Sequence, residues 1–399
     1  MRPPNEADVI YRKLRPQYYN DIGMVNENGE KWHSLRRNLT PPLSSPATLK
    51  HYATHMHSIS QDLVNLIRHK KQQDGLITSF KEMIYKAGLE AVCMVALERR
   101  MGFLEPTLGF STQKIMDSVA GFQESSSQLM YGLPFWKYLP LRFSGFFSKL
   151  MNCRDYLFET FANIVDETML LNEEEGVTNT DSILNALLKN VTVKDVKASV
   201  VEYITAGMDT IGNSLIFLIA NVAQHPEVQE KLHQELDQVF PNGSDIEAEK
   251  LGQLHYLKAC LRESFRMFPS ASQIARFTER EVVLRSGHVL PPHSLVLCHH
   301  RIAALQEQNF TRATEFLPER WLPGGSEEFL PHHNKDLVLP FGSGKRMCPG
   351  KRLAEQELYI IAAKLFQNFN IELAQKLELE FSYLLTPAGP CSLRFTERD

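Results

Sequence analysis

FGSGKRMCPG, residues 341–350, packs three glycines, two adjacent cations and a cysteine into ten residues, just ahead of an amphipathic helical pattern. Gly342, Gly344 and Gly350 let the backbone approach a flat, bulky group closely and turn with positive φ where needed. Pro349 stands where a first helical residue would, a position at which its missing N–H leaves nothing unpaired. The helix that follows points its positive end at Cys348 and favours thiolate over thiol, with Lys345 and Arg346 adding cationic charge. Thiolate is the form in which cysteine binds haem iron, an arrangement that favours O–O cleavage. Two simpler readings compete. GSGK hints at a phosphate loop, but Arg346 stands where Ser or Thr is needed and the GxxxxGK spacing is absent. An isolated cysteine beside a helix is commonly an inert buried residue. The choice therefore depends on what else the chain carries.

Composition sets the frame. The 399 residues are 43% hydrophobic and 23% charged, with a formal net charge of −4, which is ordinary for a globular chain with a large core. That balance lacks the strongly basic footprint of a nucleic-acid binder. The six cysteines show no CxxC and no regular spacing, so a disulfide framework is not expected and a reducing compartment fits better. Residues 1–30 contain no apolar signal core. The longest apolar stretch, Ile211 to Val222, is interrupted by Asn213 and Asn221 and falls short of the ~20 residues of a membrane span.

Helical periodicity dominates, over 47–71, 77–97, 112–131, 146–171, 192–224, 225–240, 255–267 and 351–369. Asp181 is placed to cap a short helix, SILNALLKN. LPFWKYLP (133–140) reads as a Pro-bounded aromatic loop, and residues 280–300 switch to period-two spacing, a short hairpin region. The expectation is one large, mainly α domain with a small β portion.

Within this frame several pairs stand out. Glu263 and Arg266 in LRESFR are three residues apart and share a helix face, as a surface ion pair would. AGMDT (206–210) places Gly207 in the interior of the longest helix, where it costs about 1 kcal/mol relative to Ala and needs a reason. Trp32 and Arg36 lie four apart in WHSLR, and Lys258 and Arg262 four apart in YLKACLRESFR.

Taken together, Phe341-x-x-Gly344-x-Arg346-x-Cys348-x-Gly350, the ExxR pair and AGMDT resemble the cytochrome P-450 superfamily, and the likeness runs along essentially the whole chain. Stretches outside the universal motifs, such as YRKLRPQYYNDIGMVNENGEKWHSLR (11–36) and YLKACLRESFRMFPSASQIAR (256–276), are similar to its mitochondrial clan. The resemblance implies a cytochrome P-450 fold that lacks its N-terminal segment, targeting signal included. It implies haem held by Cys348 as the metal ligand within a loop formed by Phe341, Arg346 and Gly350, with Trp32, Arg36 and Arg276 donating to the propionates. Glu263 and Arg266, completed by Arg320, would brace the loop structurally. Gly207 would open room for dioxygen above the iron, with Thr210 hydrogen-bonding the bound oxygen and Asp209 feeding protons toward it. Lys258, Arg262, Lys351 and Arg352 would dock an acidic adrenodoxin-like ferredoxin, the electron donor. The implied reaction is monooxygenation of a steroid, ecdysone attacked at carbon 20, by an O2-using, membrane-associated enzyme of mitochondria or, alternatively, of microsomes. The same resemblance covers another mitochondrial-type sterol or xenobiotic hydroxylase, or a haem protein that does not turn over. Residues 18–24, Ser127, Met130, Ala206 and 270–274 are the expected pocket lining.

Overall fold

In the computed structural model, which describes residues 1, 3–131, 145–175, 182–323, 335–381 and 384–398, helix dominates as the periodicity requires. The helices are α1 (Glu6–Lys13), α2 (Gly23–Asn26), α3 (Gly29–Leu39), α4 (Pro46–Lys70), α5 (Phe80–Leu97), α6 (Phe110–Tyr131), α7 (Gly145–Glu175), α8 (Ile183–Leu188), α9 (Val193–Ala223), α10 (Pro226–Val239), α11 (His255–Met267), α12 (His300–Ala304) and α13 (Lys351–Asn368). The described strands are β1 (Leu76–Ile77), β2 (Ile274–Phe277), β3 (Val282–Val283), β4 (Val289–Leu290), β5 (Leu295–Cys298), β6 (Phe369–Leu373), β7 (Glu378–Phe381), β8 (Leu385–Ala388) and β9 (Leu393–Glu397). The expected aromatic loop 133–140 lies outside the described residues.

The chain divides into two compact units. One comprises Met1–Pro42, Phe110–Thr205 and Gln273–His299; the other comprises Leu43–Gly109, Ala206–Ser272 and His300–Asp399.

In the second unit α4 packs along α13 and α5. Ser45 caps α4 by accepting from the Thr48 N–H, Pro46 starts it, and Tyr52, Met56, Ile59, Leu63 and Ile67 form its buried stripe. From Ala87 to Leu97 α5 is buried on every side, which suits a helix with so little polar surface. Its one buried carboxylate, Glu90, is satisfied by Arg100 Nε at 2.6 Å and by the N–H groups of Met101, Gly102 and Phe103. β9 lies between β1 and β6 in an antiparallel sheet, with Phe395 opposite Ile371 and Leu393 opposite Leu373.

In the first unit α6 packs along α7. Arg12 on α1 is buried between Asp8 and Glu202, and Arg154 on α7 also pairs with Asp8. Isolated charges would be prohibitive there, and mutual pairing makes their burial tolerable. β2 pairs with β5, and β3 with β4, both antiparallel.

Several boundaries differ from the sequence reading. Ile77 leaves the expected 77–97 helix and, with Leu76, pairs with β9. Ser182 caps α8 by accepting from the Asn185 N–H at 3.2 Å, and the expected cap, Asp181, lies outside the described residues. Strands β6 to β9 were not expected from the sequence, although β6 and β9 alternate buried and open residues along much of their length. α9 is the one helix among the described residues long and apolar enough to cross a membrane; 78% of its most apolar window is buried, which marks a core helix.

Candidate active site

The strongest geometry surrounds Glu263. The i, i+3 spacing on α11 brings Arg266 against it, Nε and Nη2 each 2.9 Å from a carboxylate oxygen in a bidentate pair. Arg320 Nε adds a third bond at 3.0 Å, the Leu317 N–H a fourth at 3.0 Å, and Trp321 Nε1 a fifth at 2.9 Å. The remaining Arg266 guanidinium hydrogens go to the main-chain carbonyls of Ala304, Ala313 and Glu315, and Arg320 also donates to those of Thr311 and Arg312. All three ionised side chains are fully buried, so this is no surface pair. Trp321 is the member that sequence reasoning missed, although it directly follows Arg320.

The cysteine loop rests on the same helix. Phe341 meets Phe265 of α11 edge to face, ring centres 5.4 Å apart. The Cys348 N–H donates to the Phe341 carbonyl at 2.8 Å, which closes the loop, and Gly342 and Gly344 turn with φ of 74° and 70°. α13 starts at Lys351 with Gly350 as its N-cap, so Pro349 lies in the preceding turn rather than at the first helical position. Cys348 is half-buried just ahead of an 18-residue helix.

On α9, Gly207 has a different reason from the one expected. A Cβ built there would lie 2.7 Å from Val92 Cγ2, and a Cβ on Gly212 would lie 2.3 Å from the Tyr85 ring. A Cβ built on Gly88 of α5 would in turn lie 3.3 Å from the Met208 carbonyl oxygen. These glycines let α5 and α9 approach closely; the side chain missing at 207 makes room for a helix. The open surface lies instead at Ala206, which is exposed, and at Thr210 one turn on. We expect Gly207→Ala to destabilise the protein by about 1–3 kcal/mol through overpacking. In denaturant unfolding, Val92→Ala in the same chain should recover most of that loss, whereas additive losses would contradict the contact.

Thr210 Oγ1 is within hydrogen-bond distance of the carbonyls of Ala206 (3.0 Å) and Gly207 (3.1 Å), and Ser214 bonds back to Thr210 O at 2.6 Å. Asp209 keeps partial solvent access, yet burial pushes its carboxyl up to about 6, opposed by the Lys81 ammonium. The folded value exceeds the ordinary 3.8, so ionisation weakens the fold as pH rises through about 6 and has no effect on stability below about 3. Asp209→Asn should therefore raise stability at pH 7 by about 1–2 kcal/mol, a figure reduced for its partial exposure. The gain should vanish in unfolding measured near pH 3; a pH-independent gain would contradict this environment.

Comparison with known proteins places this arrangement. The family model described as Cytochrome P450 matches residues 6–395. The chain belongs to the cytochrome P450 family. Ecdysone 20-monooxygenase of Drosophila melanogaster is 34% identical over 410 residues, covering 100% of this chain and 75% of that protein. Probable cytochrome P450 12a5, mitochondrial, of Drosophila melanogaster is 30% identical, covering 98% and 75%. The 25-hydroxyvitamin D-1 alpha hydroxylase, mitochondrial, of Rattus norvegicus is 30% identical, covering 90% and 72%.

P450s are haem-thiolate monooxygenases, and the residues of this P450 fit that group. A Cβ added at Gly342, Gly344 or Gly350 would meet no other atom within 4 Å, which leaves a flat macrocycle free to lie against the loop. No cluster of three His, Cys, Asp or Glu that could hold a bare ion occurs among the described residues. A single thiolate suits a metal that brings four ring ligands of its own.

The other expected haem contacts of the P450 are distributed unevenly. Arg346 ends the short turn Gly344–Arg346 beside Cys348. Trp32, buried on α3, Arg36 one turn on, and Arg276 on β2 belong to the first unit, where Arg276 Nη1 donates to its neighbour Ala275 O at 2.8 Å. The four expected docking cations all belong to the second unit. Lys258 Nζ lies 5.9 Å above the Tyr359 ring of α13 and donates to Gly252 O at 2.8 Å. Arg262 lies 4.2 Å over Trp321, Lys351 Nζ is 3.8 Å from Glu355, and Arg352 donates to Ser44 O. Burial pulls Lys258 and Arg262 below their usual values, so neither is a fully solvated charge. Of the pocket positions expected, Tyr18 stacks on Phe158 at 4.2 Å and bonds to Glu159, while Ser270 is committed to Asn213 and to the Leu385 N–H.

Proposed function

We propose that this P450 hydroxylates ecdysone at carbon 20, taking electrons from a ferredoxin in mitochondria. The observation that carries the substrate is 34% identity, along the entire chain, to ecdysone 20-monooxygenase. Relatives named as mitochondrial support both the compartment and the donor type. The balance is substrate C–H, O2, two electrons and two protons giving C–OH and water.

In this reading the Cys348 thiolate would hold the haem iron, its loop closed by the bond from its own N–H to Phe341 O. Haem, when bound, supplies O2 binding and O–O cleavage. The chain's own residues then place one C–H bond, exclude water and move protons. The Asp209 carboxyl, tuned to about 6, is matched to donating and regaining a proton near neutral pH. The Thr210 hydroxyl orients that transfer, once it turns from the carbonyls of Ala206 and Gly207. Glu263, Arg266 and Arg320 hold the loop from behind, and the cluster around Tyr359 offers a cationic face to an acidic donor.

The test is product analysis with ecdysone, ferredoxin and its reductase. The expected product is 20-hydroxyecdysone, with Thr210→Ala consuming O2 while forming severalfold less of it. The 30% identity to a vitamin D hydroxylase supports a second reading, another sterol or secosteroid as substrate. Turnover of a 25-hydroxylated secosteroid with none of ecdysone would establish that alternative.

A further inference from the structure

Helix α5 presents polar groups to α9 that the reaction so far described does not use. Asp209, Gly212 and Asn213 lie at i, i+3 and i+4, on one face of α9. Against that face sits Tyr85, whose ring fills the space beside Gly212 and whose hydroxyl donates to Asn213 Oδ1 at 2.6 Å. Asn213 Nδ2 passes the chain on to Ser270 Oγ at 3.2 Å, and both of these residues are buried. One turn before Tyr85 on α5 is Lys81, its Nζ 5.6 Å over the Tyr85 ring and donating to the Pro387 carbonyl of β8 at 2.7 Å. The ammonium is thereby fixed by main chain rather than swinging in solvent. Glu380, exposed on β7, and the Cys391 thiol also lie within its electrostatic reach.

We propose that Lys81 is a positioning residue for proton delivery, a fixed counter-charge that lets Asp209 release its proton and take another from water. This rests on the reading of Asp209 as the proton donor. An aspartic acid in so apolar a surround gives up a proton only if the carboxylate left behind is stabilised. Lys81 supplies that stabilisation without reaching Asp209 directly, because its hydrogen bond to Pro387 O holds it in place. The charged or titratable groups facing this pair are Tyr85 from α5, Glu380 from β7 and Cys391 from the turn before β9. Tyr85 is pushed well above its usual value by burial, and Cys391 up to about 11, so both stay protonated and neutral. Glu380, exposed on β7, competes for the same ammonium. The proton moves from the Asp209 carboxyl toward the reacting oxygen, and water restores it; no other reactant is needed.

The test uses the haem-loaded protein in two readouts. Infrared titration of the resting enzyme, with Asp209→Asn identifying the band, follows the carboxyl itself, and product formed per O2 consumed is followed against pH. Lys81→Gln keeps a donor for Pro387 O but removes the charge. Its Asp209 midpoint should rise by about one unit or more, and the alkaline limb of coupled yield should move up with it. Lys81→Arg should restore both to within about half a unit. Should Lys81→Gln fail to fold, Glu380→Gln provides the second arm, because freeing the ammonium from its competitor should lower the midpoint. Coincident midpoints in all of these chains would overturn the role of Lys81. An Asp209→Asn protein with full coupled yield would overturn the reading of Asp209 instead.

Discussion

Glu263→Ala is expected to leave a chain that neither folds stably nor retains haem. The substitution strands two buried guanidinium groups, and it orphans the Leu317 N–H and Trp321 Nε1 as well. Removing one partner from a buried ionic cluster costs about 3–5 kcal/mol, a large share of the 5–15 kcal/mol that a domain has in total. Arg320→Lys should be milder, because lysine keeps a positive charge yet lacks the fork that reaches Glu263, Thr311 and Arg312 together. Denaturant unfolding and haem content of the purified proteins measure both. A Glu263→Ala midpoint within about 0.5 kcal/mol of the parent would show that the five bonds around this carboxylate contribute little.

The second large effect is on chemistry rather than folding. Cys348→Ser should lower turnover by more than about a thousandfold, equivalent to roughly 4 kcal/mol in the barrier. An alcohol at this position cannot provide the electron push of a thiolate. The polypeptide should fold nevertheless, since the side chain is only half-buried and the N–H bond to Phe341 O is made by main chain. Helical circular dichroism should therefore stay at the parental level while product formation disappears. Loss of both together would mean that the loop stabilises the fold more than its geometry indicates.

The chemistry of the site was more legible in the sequence than its supports. A glycine-rich cysteine loop, a Glu and an Arg three residues apart, and an acid beside a threonine are local patterns, and local spacing survives folding. What lay hidden is tertiary. Glu263 and Arg266 read equally well as a solvated surface pair, and only the arrival of Arg320, Leu317 and Trp321 from over fifty residues away makes them a core. Gly207 shows the same limit. A glycine inside a helix announces a close approach but not what approaches, and the neighbour is Val92. Lys81 and Tyr85 carry no motif at all; they matter through a helix crossing that no period in the sequence encodes. The helices were readable because each is long enough for its stripe to repeat. The sheet of β1, β9 and β6 was not, because strands of two to five residues offer one or two alternations. Its first strand is also joined to a helical pattern that absorbs it.

The most direct test of the central claim is optical: reduce the haem-loaded protein, add carbon monoxide, and record the difference spectrum. Thiolate ligation by Cys348 requires the long-wavelength Soret band specific to thiolate-bound haem, present in the parent and absent in Cys348→Ser. A parent spectrum with only the shorter-wavelength band of a nitrogen- or water-ligated haem would contradict the assignment of Cys348, and with it the reaction proposed for this site.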